Sequence, residues 1–211
     1  MKQAAVLGAH TCLGFALCKE WMERGYSVLA VFEAPSNPFE ERRQEEMMMT
    51  VGRNALFHPA RGNEEPDLAG CDFAVCGTGW LENFQAQDLP QILLAADETQ
   101  NADSGKTIIY TGPVYGPWQY PGEELINWAK TGFAAVPFRD DPGVFAEDAA
   151  KTIADLTDSK PFGKTYYLPG NAAGGEQLTP LSRKTPIAQA LKELKLHMEQ
   201  YPFLYDSSAL V

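Results

Sequence analysis

The sequence predicts a doubly wound parallel α/β sheet with a small C-terminal cap, on three observations. Short apolar runs alternate with helical segments along the chain. The first run, Ala4-Ala5-Val6-Leu7, enters a helical pattern through a turn with a glycine at each end, Gly8 and Gly14. Later runs stop at Gly77-Thr78-Gly79 and Thr111-Gly112-Pro113, leaving bare backbone at the carboxyl edge of a sheet.

Taken in order, the first strand leads to a helix from Phe15 to Glu23, with Leu13, Ala16, Leu17 and Met22 on about one face. Gly25 closes it. Ser27 to Phe32 is a second strand, and Glu33 to Pro38 a turn-rich segment. Phe39 to Met49 reads as a solvated helix whose Met47-Met48-Met49 end suits core filling better than a ligand surface. Asn54 to His58 is a third strand, Arg61 to Pro66 a loop and Asp72 to Cys76 a fourth strand. Leu89 to Thr99 reads as a helix and Thr107 to Tyr110 as a fifth strand. A loop with Trp118, Tyr120 and Pro121 precedes a helix around Glu123 to Lys130. Ala134 to Phe138 reads as a sixth strand, Ala146 to Asp158 as a helix and Thr165 to Leu168 as a final strand.

Thr185-Pro186 begins a last helix with the stripe Ile187, Leu191, Leu194 and Met198, beside which His197 reads as structural. The chain, 1–211, reads as a single domain, the residues after about 131 completing the sheet and a cap over its carboxyl edge. The apolar tail, Tyr201 to Tyr205 and then Ala209-Leu210-Val211, is expected to dock on its own domain rather than on a second subunit.

Composition narrows the partners. The 211 residues are 45% hydrophobic and 21% charged, as in an ordinary soluble globular protein. A formal charge of -11 argues against a nucleic acid or an anionic membrane surface, which call for a basic footprint. Cys12, Cys18, Cys71 and Cys76 form no C-x-x-C pair, and His10, His58 and His197 are scattered. No metal site is expected; the cysteines read as reduced thiols of a cytoplasmic protein. Neither a signal peptide nor a membrane span is expected.

The glycine turn carries the functional signal. A strand, a tight turn and a helix N-terminus together make an anion site, because first-turn amides point at the anion. Gly8 allows the sharp turn, and Gly14 lets helix and strand approach closely. That places the backbone of Ala9, His10, Thr11, Cys12 and Leu13 near a pyrophosphate, with Thr11 where a central glycine is usual. The other reading is an ordinary strand–helix turn whose glycines serve packing. Glu33, nineteen residues beyond Gly14, stands where an acid can bind both ribose hydroxyls of NAD and repel the extra phosphate of NADP; the other reading is a solvated loop glutamate. His10 is a rival contact for a pyrophosphate or a 2′-phosphate. NAD(P) is therefore the expected cofactor, with NAD favoured.

These pieces resemble the short-chain dehydrogenase/reductase superfamily, in its atypical and extended branch. That branch includes NAD(P)-dependent epimerase/dehydratase proteins and NmrA-like NAD(P)-binding proteins. Gly8-x-x-Thr11-x-x-Gly14 falls on the family's glycine motif, and Asp72 to Gly79 on its fourth strand, whose end packs beside the adenosine. Tyr110-Thr111-Gly112-Pro113-Val114-Tyr115-Gly116 is similar to the fifth-strand hydroxyl and V-Y-G signature. Phe145-Ala-Glu-Asp148-Ala-Ala150 looks like the segment that opens a late helix in these proteins. The resemblance implies a Rossmann-like fold, a dinucleotide against Gly77, Thr78 and Gly79, and a hydroxyl at Thr111 that holds a substrate oxygen.

One departure bears on activity. The family pairs a tyrosine acid/base with a lysine four residues later, and no tyrosine here is followed by such a lysine. Tyr115 is followed by Gln119 and Tyr120 by Glu124. A phenol with an unshifted pKa of ~10 is a poor base at neutral pH. Thr111 is either the oxygen-binding hydroxyl or the last residue of a strand, and Tyr115 either a substrate contact or a packing residue. Trp118 and Tyr120 are either walls of the pocket or loop aromatics. Two functional readings follow: an oxidoreductase or epimerase acting on a small carbonyl or sugar-type substrate, or a non-catalytic protein that senses the dinucleotide. The oligomeric state is left open.

Overall fold

The computed structural model describes residues 1–61, 66–77, 89–96, 106–120, 124–130, 143–159, 162–169 and 179–206. Its sheet is built from β1 (Gln3–Leu7), β2 (Ser27–Phe32), β3 (Phe57–Arg61), β4 (Phe73–Gly77), β5 (Gln91–Ala95), β6 (Thr107–Tyr110) and, further along, β9 (Thr165–Tyr167). All pairings are parallel, in the order β3-β2-β1-β4-β5-β6-β9. The order reverses between β1 and β4, and a crevice at the carboxyl ends of such a pair is where open α/β sheets take ligands. The Rossmann-like doubly wound fold is thus present. β7 (Val114–Tyr115) and β8 (Val144–Phe145) form a separate parallel pair.

Strand alternation sorts the core into two faces. From β1, Ala4 and Val6 join a large cluster with Phe15, Trp21, Phe32 and Ile153, while Ala5 and Leu7 join Val31, Leu68, Cys76 and Leu93 opposite. α1 (Cys12–Glu23) begins at Thr11, whose hydroxyl accepts from the Gly14 amide at 3.0 Å. It ends where Gly25, at φ +81, returns its amide to Met22 O. α1 packs along α4 (Ala146–Ser159). At the far end of both helices Arg24 reaches Asp155 and Asp158, and Tyr26 donates to Asp158.

α2 (Pro38–Val51) has Asn37 as its cap and Pro38 in its first turn. It buries Phe39, Arg43, Gln44 and Met47, so Met47 is core whereas Met49 is exposed. α3 (Glu124–Lys130) lies within the expected helix and buries Leu125 and Ile126. β3 starts at Phe57, three residues later than expected, because the Asn54 carbonyl and side chain cap a turn ahead of it. Pro59 is tolerated there because β3 is an edge strand.

The expected helix from Leu89 to Thr99 is a correction: Gln91–Ala95 is strand β5. Ile92 and Leu93 are buried in opposite core clusters, so the segment is apolar on both sides. A strand covered on both faces loses the alternation that tells it from a helix. The expected strand at Ala134 to Phe138 lies outside the described residues, as do residues 97–99 of that expected helix and Ala209 to Val211 of the tail.

At the C-terminal end, α5 (Ile187–Gln200) buries Ala190 and Leu194 but leaves Ile187 half exposed, so only part of the expected stripe is inside. A 3-10 turn, Pro202–Tyr205, then buries Leu204 and Tyr205. The Tyr205 hydroxyl accepts from the Trp118 amide at 3.2 Å and meets His197 Nδ1 at 2.7 Å. This part of the tail docks on its own chain, against the 116–120 loop.

Candidate active-site cleft

The glycine turn is built almost wholly from main chain. Gly8, at φ +88, and Ala9 both donate their amides to Val31 O at 3.0 Å, tying the turn to the end of β2. The Thr11 hydroxyl donates to Gly8 O at 2.9 Å while accepting from Gly14 N. Its side chain is therefore folded into the turn, which explains how a threonine stands in the central glycine's place. A Cβ on Gly14 would lie 2.2 Å from Gly8 O. That contact is too short for any side chain, so helix and strand meet here only because residue 14 is glycine.

His10 is buried beside the turn. Its Nδ1 accepts the Glu33 amide at 3.3 Å, and its Nε2 lies 3.3 Å from the Glu33 carboxylate. Burial and, secondarily, the charge of Arg43 push its pKa down to about 4, so this is a neutral imidazole donating to a carboxylate at neutral pH. Glu33 itself projects into solvent just beyond β2.

Thr111 follows β6 at the carboxyl edge, its amide bonded to Ala95 O at 2.9 Å. Its hydroxyl is buried, 3.0 Å from Gly112 O and 3.4 Å from Ala95 O. Thr11, Cys12, Leu13, Thr111, Gly112 and Tyr120 line one cavity of about 290 Å³ together with Arg43 and Trp118. The fold thus brings the glycine turn and Thr111 to one cleft. Tyr115 is buried and packs on Phe145, ring centroids 5.7 Å apart, outside the set that lines this cavity. Gly77 ends β4, while Thr78 and Gly79 lie outside the described residues.

Two features of the cleft escape a reading of the sequence. Arg43 is 1% exposed, and its Nη2 donates to His10 O at 2.7 Å and to Trp118 O. Its guanidinium lies 4.3 Å from the centre of the Tyr120 ring. The available signal is the spacing Phe39, Arg43, Met47, which puts the arginine on the buried stripe of α2. Trp118 sits at φ +71, a left-handed conformation rare for a bulky residue. Arg43 holds its carbonyl, Tyr205 its amide, and Phe15 and His197 pack edge-on against its ring. A larger cavity of about 500 Å³ lies on the other side of Trp118, between α1 and α5. Thr111 and the glycine turn do not line it, so the smaller cleft is the candidate site.

Among the described residues there is no cluster of metal-ligating side chains, and no helix long and apolar enough to cross a membrane.

The sheet order and the glycine turn at the carboxyl end of β1 define a Rossmann-type α/β protein. No family model matches the chain. A Bacillus subtilis (strain 168) protein, uncharacterized protein YjaV, is 28% identical over 132 residues, covering 59% of this chain and 68% of that protein. The fold is shared with UDP-glucuronic acid 4-epimerase from Bacillus cereus, solved with UDP-glucuronic acid and NAD. The TM-score is 0.68 at 13% identity, over 95% of this chain and 99% of that one. Vestitone reductase from alfalfa superimposes with a TM-score of 0.63 at 13% identity, over 97% of this chain and 100% of that one. A yeast methylglyoxal/isovaleraldehyde reductase complexed with NADPH gives 0.56 at 10% identity, over 96% and 99%.

Proposed function

We propose that the chain is an NAD(P)-binding protein of the short-chain dehydrogenase/reductase superfamily, related to the epimerase/dehydratase and reductase branch. The observation that carries this is the turn between β1 and α1: a side chain at residue 14 would meet Gly8 O at 2.2 Å, and Thr11 is folded inward as the helix cap. This tight turn presents the N-terminus of α1 to the cleft, the arrangement that suits a pyrophosphate. Gly8 to Gly14 hold the pyrophosphate, Gly77 flanks the adenosine, and Glu33 favours NAD over NADP. The neutral His10 positions that carboxylate. The test is calorimetric titration with NAD, NADH, NADP and NADPH. Saturable binding of at least one is expected, and no binding of any of the four would refute the reading.

In the catalytic version, Thr111 holds the oxygen of a small carbonyl or sugar-type substrate at the nicotinamide end. The bound dinucleotide supplies or accepts the hydride. The chain's own part is to orient the substrate oxygen through Thr111 and to exclude water with Trp118 and Tyr120. Proton transfer lacks a tyrosine–lysine pair, which makes the expected carbonyl reduction weak. The second reading, a cytoplasmic dinucleotide sensor of the NmrA-like kind, is favoured by Tyr115, whose ring is committed to Phe145. NADH oxidation against a panel of aldehydes, ketones and quinones separates the two.

A further inference from the structure

Trp118 is the strained residue of the cleft. Among the described residues it is the one residue other than glycine with a positive φ, +71. Such a backbone costs free energy in any residue with a side chain, so it persists only where the surrounding structure imposes it. Here two bonds to distant elements do so: Arg43 Nη2 donates to its carbonyl, and its amide donates to the Tyr205 hydroxyl at 3.2 Å. The ring is boxed as well, with the Phe15, His197 and Tyr201 ring centroids 5.7, 4.4 and 5.0 Å away. Residue 118 lines both the cleft and the larger cavity, and so forms the partition between them. Three of its partners, His197, Tyr201 and Tyr205, come from one strap that joins the end of α5 to the 3-10 turn. This strap is anchored independently of Trp118: Leu204 is 1% exposed, and the Arg42 guanidinium lies 3.7 Å from the centre of the Phe203 ring.

We propose that Tyr205 is a positioning residue of the cleft: its hydroxyl, through the Trp118 amide, holds the wall against which the nicotinamide half of the ligand packs. This rests on the dinucleotide reading, in which Thr111 and Gly112, lining the same cavity as Trp118, stand at the nicotinamide end. Tyr205 does not line that cavity, and acts on the ligand only through residue 118. Its hydroxyl also meets His197 Nδ1 at 2.7 Å, which fixes where it stands. The glycine turn is tied to Val31 and closed by Thr11, with no bond to the strap among these. Loss of the hydroxyl therefore reaches the nicotinamide half of the ligand and spares the pyrophosphate.

The experiment measures binding of NADH, and of ADP-ribose, which lacks the nicotinamide, to the full chain and to Tyr205→Phe. That substitution removes the hydroxyl and keeps the ring. NADH is expected to weaken about 3- to 10-fold while ADP-ribose stays within about twofold. A hydroxyl that serves stability alone would lower the urea midpoint and leave the ratio of the two affinities at its wild-type value, which overturns the inference. If Tyr205→Phe does not fold, His197→Gln, which alters the hydroxyl's other partner, is read by the same ratio. Trp118→Gly against Trp118→Ala tests the strain without any ligand. At φ +71 glycine should give the higher urea midpoint, the reverse of the usual order. Alanine as stable as glycine would show an unconstrained backbone and also overturn the inference. A wild type that takes ADP-ribose but not NADH packs no nicotinamide on this wall, and the positioning role alone falls. If it takes neither, the dinucleotide reading falls and the positioning role with it.

Discussion

The two banks of the cleft are built on different principles. One bank, residues 8–14, is a contiguous turn: Gly8 and Ala9 bond to Val31 O at the end of β2, and the Thr11 hydroxyl closes on Gly8 and Gly14. The other, residues 111–120, is held by parts brought from far away. Arg43 from α2 fastens the Trp118 carbonyl, Tyr205 near the C-terminus accepts its amide, and Phe15 and His197 flank its ring. The first bank is shaped mainly by main-chain contacts, with Arg43 also holding His10 O, whereas the second depends on side chains brought from far along the chain.

The sharpest way to break that contrast is Gly14→Ala. The new Cβ meets a backbone carbonyl at 2.2 Å, with no flexible side chain to give way. A loss of about 3 kcal/mol or more is expected from overpacking, together with loss of dinucleotide binding. Gly77→Ala is the control. Nothing among the described residues lies within 4 Å of its added Cβ, so urea denaturation should find stability within about 0.5 kcal/mol of wild type.

Acid titration compares the banks directly, because a neutral histidine serves each: buried His10 within the first and half-buried His197, from α5, packed on Trp118 of the second. Burial, more than neighbouring charge, holds both His10 and His197 down to about 4. Both values lie below that of the unfolded chain, which therefore binds more protons between about pH 4 and pH 6.5. Stability is full above that window and falls as pH drops through it, by up to about 3 kcal/mol per histidine. Urea midpoints at pH 7 and 4.5 for wild type, His10→Asn and His197→Asn check this. Each variant should lose less on acidification, and a profile as steep as wild type would show that the residue is not the titrating group.

Smaller effects follow at positions that do not shape the fold. Thr111→Val removes a hydroxyl whose hydrogen bonds are 3.0 and 3.4 Å long, at a cost of about 1 kcal/mol in thermal denaturation. Any NADH-dependent turnover should fall about 100-fold. Fast turnover untouched by Thr111→Val and Tyr115→Phe would place the chemistry elsewhere. Glu33→Ala, on an exposed side chain, should leave stability within about 0.5 kcal/mol. Calorimetry should show the NAD:NADP preference moving toward NADP by about tenfold.

Legibility in the sequence follows the same division. The glycine turn is readable because strand, glycines and helix are neighbours in sequence, and a main-chain motif needs only the right residue types at the right spacing. The place of Glu33 just after β2 is readable for the same reason, lying one strand beyond. β5 is not: residues covered on both faces show no alternation, and Ile92-Leu93-Leu94-Ala95 fits a helix as well as a strand. Arg43 hides because a run of charges, Glu40-Glu41-Arg42-Arg43, looks solvated unless the helix is phased by Phe39 and Met47. Trp118 is legible only as one of two alternatives, pocket wall or loop aromatic, and its left-handed backbone is held by Arg43 and Tyr205, 75 and 87 residues away.

The ends of the sheet bear on how these molecules behave in a crowd. At either end of a seven-stranded sheet, an edge strand can offer a row of outward amides and carbonyls as a template on which another chain adds a strand. On β3 that row is interrupted by Pro59, which has no amide to offer. β9 has only three residues, too short a rail for stable self-association. Replacing Pro59 with valine would restore an unbroken row of donors to β3, and light scattering at rising concentration would then report aggregates that the parent chain does not form.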